Sequence, residues 1–398
     1  VERRQAVVVG GGPAGLAAAA QLRLCRVDTL VLDAGAQPGS SWAGHYDALR
    51  LNTVAWTSHL PGLRFPRADG PYPTRDQVVS YLARYVQHHR LEVRWATRAQ
   101  GIERLTRVPA GIGERPRDGW LVHTDRGTVE APTLVLATGS CARPRLPDWP
   151  GRTEYTGPML HSSRYRNAEA FRGLKVLVVG AGNSGGEIAA DLAAGGAASV
   201  QLSVRTPPQV VPRRVRGIPT VLAAIGARRL PPVVGDALVR RLRRALLADL
   251  PDHGLPEPAE DLSSQYARGG VVPLSHPGFF AELRQGRIGI VAAVERLSAA
   301  GVHLSDGSVL DPDVVIAATG YTPGLEPLVG GLGVLDPAGR PLPRSGRTLP
   351  EAPGLHAIGF TDPLSGNLRE IRIDARRIAR AVAGLSVLDD DLRTPYLL

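Results

Sequence analysis

A chain of 398 residues exceeds what one hydrophobic core normally organises, so two or three domains are expected. Its 43% hydrophobic content is ample for burial, and no stretch approaches the ~20 uninterrupted apolar residues of a membrane span. The net charge of +10 comes almost wholly from arginine, Lys175 being the single lysine, and no nucleic-acid motif or aromatic platform accompanies it, which sets nucleic acid aside as a partner.

In chain order, the first predicted element is a β-branched strand, Ala6 to Val9, running into VVVGGGPAG with Gly10, Gly12 and Gly15 and then an alanine-rich helical stretch, Leu16 to Leu22. Strand, glycine turn and helix in that order form a dinucleotide fingerprint. The first glycine permits the tight turn, the second lets the backbone approach a pyrophosphate, and the third lets helix pack on strand. So early a strand leaves no room for a signal peptide, and a cytoplasmic location is expected. The next strand, Thr29 to Leu32, ends in Asp33, an acid spaced to receive a ribose diol. A further strand, Thr133 to Leu136, runs into ATGS (Ala137 to Ser140).

A second fingerprint follows in VLVVGAGNSGGEIAADL, with Gly180, Gly182 and Gly185 after strand Val176 to Val179 and before helix Ile188 to Ala194. Asn183 and Ser184 open that helix. The strand after it leads through SVQLSVRTPP to Arg205 and carries no acid. A carboxylate there would repel a 2′-phosphate, whereas a guanidinium can clamp one. FAD is therefore expected on the first fingerprint and NADPH on the second. Cys25 and Cys141 are far apart, without a C-x-x-C, so no redox dithiol is indicated.

Residues 206–285, rich in Pro, Arg and Leu, fit neither nucleotide unit. Within them VVGDALVRRLRRALLADL reads as an amphipathic helix, Leu238, Val239, Leu242, Leu246 and Leu250 sharing one side and Arg240, Arg241 and Arg244 the other. It is expected to cap the core or the substrate site, a membrane surface being the alternative. Strand Val314 to Ala317 then ends in ATGY (Ala318 to Tyr321), the pair of ATG strand ends marking crossings between domains. The fold class expected is α/β: two Rossmann-like dinucleotide-binding domains, the second inserted in the first. Residues 1–150 and 320–398 form the FAD domain, and 151–319 the NADPH domain with its extra segment.

One motif remains. YTGPMLHSSRYR (Tyr155 to Arg166) resembles the identifying motif of the flavin-containing monooxygenases, with Gly157, His161, Tyr165 and Arg166 matching and Tyr155 replacing the usual leading Phe. WAGHYDALRLNT (Trp42 to Thr53) and LREIRIDARRIA (Leu368 to Ala379) resemble segments of the YUCCA-type branch and its bacterial relatives, so the likeness spans nearly the whole chain. Tyr165 and Arg166 depart from the Baeyer–Villiger pattern.

The resemblance implies an NADPH- and FAD-dependent monooxygenase in which reduced flavin captures O₂ as a C4a-hydroperoxide and passes one oxygen to a small molecule. Oxygenation at nitrogen or sulfur, as a tailoring step in biosynthesis, is the first expectation. Carbonyl-directed oxygenation, such as oxidative decarboxylation of a 2-oxo acid, is the alternative, and an NADPH-dependent reductase or oxidase the alternative from another class. It further implies that Asn52 stands beside the flavin as the catalytic residue, that Trp42 packs near the isoalloxazine, and that His161 supports the NADP⁺ geometry. No metal is called for, and a homodimer is left open. His45, Tyr46, His59 and Tyr72 are within the range of a pocket by position, although lone residues of these types are commonly structural.

Overall fold

The computed structural model describes residues 1–108, 117–227, 231–269, 272–344 and 346–385. Two five-stranded sheets organise them, and every strand in each runs parallel. The first has the order Leu355–Ala357, Thr133–Leu136, Ala6–Val9, Thr29–Leu32, Val93–Arg94. The second has the order Met159–His161, Val314–Ala317, Lys175–Val179, Ser199–Ser203, Ile288–Val291. In both, the strand that runs into a glycine fingerprint is central. It is buried on both faces, which explains its unbroken run of valine and leucine where alternation would mark a half-wet strand. All strands of the second sheet fall between those of the first in sequence, so the second unit is nested in the first.

The helix Pro13–Leu24 begins with Pro at its first turn and packs on Asn367–Val382 through small and branched apolar residues. Leu16 lies within this contact at 0% exposure, and truncating such a residue to Ala costs roughly 2–5 kcal/mol. The helix Asn183–Ala194 plays the same part in the second unit and is backed by Pro277–Arg284, whose Phe279 and Leu283 are buried. An antiparallel meander accompanies each unit, Ala99–Val108, Arg117–Thr124 and Gly127–Ala131 in the first and Val294–Ser298, Gly301–Leu304 and Val309–Leu310 in the second.

The chain passes between the units at the two ATG strand ends. Gly139 and Gly320 both adopt positive φ (84° and 87°), where a side chain is disfavoured. Just beyond them, Arg143–Pro144 and Tyr321–Thr322 pair antiparallel. Arg145 donates to the Thr319 carbonyl at 3.1 Å, and the Thr319 hydroxyl donates back to the Arg145 carbonyl. The crossings are thereby tied to each other.

Candidate active site

The two fingerprints have the same geometry. Gly10 and Gly180 both have φ of 112°, and a Cβ on either would lie 2.4 or 2.6 Å from the carbonyl oxygen of Ala137 or Ala318. On Gly15 or Gly185 it would lie 1.8 Å from the carbonyl of the first glycine. Those four positions close the turns. Gly12 and Gly182 are different: a Cβ there meets no protein atom within 4 Å. Each caps a helix without a side-chain hydrogen bond, and helix N-termini of this kind suit a pyrophosphate.

The surroundings fit two different nucleotides. Asp33 accepts from the Gly11 N–H at 2.5 Å and the Gly35 N–H at 2.7 Å, which fixes the carboxylate at the strand end while each oxygen keeps acceptor capacity for a ribose diol. Arg205 is exposed two residues beyond Ser199–Ser203. Asn183 Oδ1 is buried without a hydrogen-bond partner among the described residues, a polar group left for a ligand to satisfy.

Asn52 sits where the two units meet. Its Oδ1 accepts from Arg213 Nη2 at 2.7 Å across 161 residues of sequence. Beside it the Tyr46 hydroxyl donates to Glu187 Oε2 at 2.7 Å, joining the Trp42 to Thr53 segment to the second fingerprint's helix. The motif from Tyr155 to Arg166 explains how that segment is held. Tyr165, fully buried, donates to Asp191 at 2.5 Å on the same helix as Glu187, and its ring meets that of Tyr46 edge-on. Arg166 donates to three successive carbonyls, Ala43, Gly44 and His45. The two final residues of the motif therefore clamp helix and segment together.

His161 has a neighbouring duty. It is buried, its Nδ1 accepts from the Ser163 N–H at 3.1 Å, and its Nε2 donates to the Gly320 carbonyl at 3.0 Å. Burial lowers its pKa against the opposing pull of that carbonyl. It therefore braces a domain crossing as a neutral ring. Trp42 is half-buried against the core of the first unit, edge-on to His45. His59 accepts from Arg372 and contacts the Leu60 carbonyl.

Next to Asn52 opens a cavity of about 150 Å³ lined mainly by apolar groups, with Val211, Val221 and Ala224 among them; Tyr72, Asn52 and Arg213 form much of its polar wall, and Asp236, bonded to Ser263, also borders it. Helix Pro232–Leu246 forms one side through Leu238, Val239 and Leu242, so the basic amphipathic helix turns apolar residues onto this cavity. The same helix makes ion pairs, Arg240 with Asp261 at 2.5 Å and Arg243 with Glu257 at 3.1 Å. The Arg213 guanidinium lies 4.6 Å from the centre of the Tyr72 ring, and its Nε is buried without a hydrogen-bond partner among the described residues. Burial pushes its pKa down, partly opposed by Glu187. Sequence inspection overlooked Arg213 and Glu187. Arg213 is one of many arginines, and Glu187 looks like any polar residue in a helix, so neither has a local signature.

Comparison with known proteins agrees with this architecture. Residues 7–214 match the family described as pyridine nucleotide-disulphide oxidoreductase. The indole-3-pyruvate monooxygenase YUCCA1 of Oryza sativa subsp. japonica is 34% identical over 90% of this chain and 88% of its own length. The probable indole-3-pyruvate monooxygenase YUCCA7 of Arabidopsis thaliana is 31% identical over 95% of this chain and 87% of its own. Among solved structures, a flavin-containing monooxygenase from Stenotrophomonas maltophilia superposes with a TM-score of 0.72 at 25% identity, covering 96% of this chain and 99% of that one. An oxidized steroid monooxygenase bound to NADP shares the fold at 17% identity, TM-score 0.71, over 96% of this chain and 86% of that one.

The fold and the paired nucleotide sites thus define a two-dinucleotide flavoprotein oxidoreductase. The chain belongs to the pyridine nucleotide-disulphide oxidoreductase family and, within it, to the flavin-dependent monooxygenases related to the YUCCA enzymes. It uses FAD, NADPH and O₂ to oxygenate a small molecule. No helix among the described residues is long and apolar enough to cross a membrane.

Proposed function

We propose that the substrate is an apolar 2-oxo acid, oxygenated at its carbonyl carbon with loss of the carboxyl group, in preference to an amine or sulfide. The observation that carries this reading is Arg213: its guanidinium is the cation among the residues lining a mainly apolar cavity, and it is hydrogen-bonded to Asn52. A carboxylate is the complement of such a group, whereas a protonated amine would be repelled by it. The two YUCCA relatives bear the name of an enzyme for an apolar 2-oxo acid.

The reaction balances: 2-oxo acid, O₂, NADPH and a proton give the shortened carboxylic acid, CO₂, NADP⁺ and water. Bound flavin supplies the redox chemistry with O₂; the protein binds, orients and excludes water. In this reading Gly10, Gly12, Gly15 and Asp33 hold FAD in the part formed by 1–150 and 320–398. Gly180, Gly182, Asn183, Ser184, Gly185 and Arg205 hold NADPH in 151–319. Asn52 faces the reacting centre, Trp42 stacks toward the flavin from the first core, and His161 keeps the NADP⁺ side in register. The enzyme works in the cytoplasm, beside its NADPH supply.

The test is product formation by the FAD-loaded enzyme with phenylpyruvate and indole-3-pyruvate against benzylamine and thioanisole. Acid and CO₂ in step with NADPH oxidation are expected from the oxo acids alone. Tight coupling to an N- or S-oxide, with only peroxide from the oxo acids, would overturn the reading.

A further inference from the structure

Glu187 is a buried carboxyl that the nucleotide sites do not explain. It lies on Asn183–Ala194, one turn in from the glycine fingerprint, and is 5% exposed. Its Oε2 accepts from Tyr46; its Oε1 is buried with no hydrogen-bond partner among the described residues. Asn52 is near enough to favour its charged form, although the amide makes no hydrogen bond of normal geometry to Oε1. Arg213 acts on it from the cavity side. The hydrogen bonds of Arg213 go to Asn52 Oδ1 and the Leu51 carbonyl, none to a carboxylate among the described residues.

These four side chains, Tyr46, Asn52, Glu187 and Arg213, form one largely buried unit that holds one cation and one carboxyl; Arg214, over the same Tyr72 ring as Arg213, and Asp236, on the cavity wall and bonded to Ser263, lie outside it. If the acid is ionised, the unit is neutral and the attraction of Arg213 for a substrate anion is largely compensated. If the acid is protonated, the unit carries one positive charge on the wall of an apolar cavity, where attraction is far stronger than in water.

We propose that Glu187 is a specificity-determining residue of this cavity: as a neutral carboxyl it leaves Arg213 to the carboxylate of an apolar substrate, and as a carboxylate it compensates Arg213 and turns anions away. The inference rests on the reading of Arg213 as the carboxylate site. Burial holds Glu187 above the ordinary carboxylate range, outweighing Tyr46, Arg213 and Asn52, which pull the other way. The other groups facing this unit are unsuited to switch in its place. Tyr46 is driven far above the usual phenol range by its burial and by Glu187, with Ser184 opposing and Tyr321 adding to the rise. His276, pushed down to about 4 by burial and then by Arg213, stays neutral above that pH. Arg50, Arg214 and Tyr72 also act electrostatically on Arg213.

The experiment is calorimetric binding of phenylacetate, an apolar carboxylate with no oxo group to oxygenate, to the FAD-loaded enzyme between about pH 5 and pH 9, the range that spans documented buried glutamates. In the native enzyme the affinity should fall as pH rises, by up to about tenfold per pH unit beyond the point where Glu187 ionises. Glu187→Gln, neutral at every pH, should bind phenylacetate with a flat profile. Tyr46→Phe removes a hydrogen bond that favours the charged form, so the fall should move to higher pH. Phenylacetamide, without charge, should show no such fall.

Arg213→Met should bind phenylacetate at least about tenfold more weakly at low pH, as loss of a charge-assisted hydrogen bond implies. If Arg213→Met binds phenylacetate as well as the native enzyme does, the carboxylate reading of Arg213 fails. If Arg213 is required but Glu187→Gln follows the same pH profile as the native enzyme, that reading stands and the role given to Glu187 is wrong.

Discussion

The guanidinium of Arg166 donates to the carbonyl of His45 at 3.0 Å across 121 residues of sequence. It also takes the carbonyls of Ala43 and Gly44, so the last residue of the Tyr155 to Arg166 motif grips the start of the segment that carries Asn52. Arg75 shares the task, donating to His45 O at 2.9 Å and to Asp47 at 2.5 Å. Replacing Arg166 by Ala should loosen this segment while leaving both fingerprints intact. NADPH oxidation should continue, and hydrogen peroxide released per NADPH should rise several-fold. Unchanged peroxide yield would show that Arg75 suffices.

Asn52→Ala should show the stronger form of the same defect. It deletes the acceptor of the Arg213 hydrogen bond, an interaction worth roughly 1–3 kcal/mol because its donor is charged and partly buried. Flavin reduction by NADPH should stay within about threefold of normal, whereas most reducing equivalents should leave as peroxide, a shift of tenfold or so by the same energy. Oxygen-electrode and peroxide measurements on the same sample check this, and normal coupling would limit Asn52 to its structural hydrogen bond with Arg213.

Gly12 and Gly182 allow the two nucleotide sites to be separated cleanly. Because a Cβ at either meets no protein atom within 4 Å, Gly12→Val and Gly182→Val should both fold. The added side chain then occupies the space kept for a pyrophosphate. Gly12→Val should purify colourless, and Gly182→Val should purify yellow yet resist reduction by NADPH. The reverse pattern in the absorbance spectra would exchange the two sites.

Arg205 stands exposed two residues beyond its strand. Arg205→Ala should raise KM for NADPH by about tenfold or more while altering KM for NADH little, since only the phosphate is affected. Equal effects on both donors would remove Arg205 from the site.

His356 gives the fold a predictable acid sensitivity. It lies in strand Leu355–Ala357 at 3% exposure, and burial pushes it down to about 4, the Gly346 backbone opposing. The folded state keeps the ring neutral while the unfolded chain takes up a proton near pH 6.5, so this contribution is present above that pH and is lost as pH falls towards 4. The loss should be roughly 3 kcal/mol by pH 4. His356→Gln should flatten that part of the denaturation profile; an unchanged slope between pH 6.5 and 4 would show that the ring protonates within the fold.

Legibility in the sequence followed the range of the interactions. The fingerprint strands and helices, Ala6–Val9 with Pro13–Leu24 and Lys175–Val179 with Asn183–Ala194, were recognisable because strand, turn and helix are neighbours in the chain and the glycines answer to local backbone geometry. The ATG strand ends were recognisable for the same reason. Leu238, Val239 and Leu242 could be placed on one face by periodicity, but periodicity does not say what the face covers; only the folded chain shows that it turns to the cavity.

What the sequence by itself determined is the pair of nucleotide folds, their nesting and their chemical asymmetry, Asp33 at one strand end and Arg205 at the other. The tertiary structure decided which residues meet beside the cavity. Asn52, Tyr46, Glu187 and Arg213 come from three separated stretches; Asn52 was marked only by the family resemblance, and Glu187 and Arg213 have no pattern that distinguishes them from other residues of their type. Their chemistry arises from burial: one guanidinium N–H without a partner among the described residues and one carboxyl acquire energies that neither has in the extended chain.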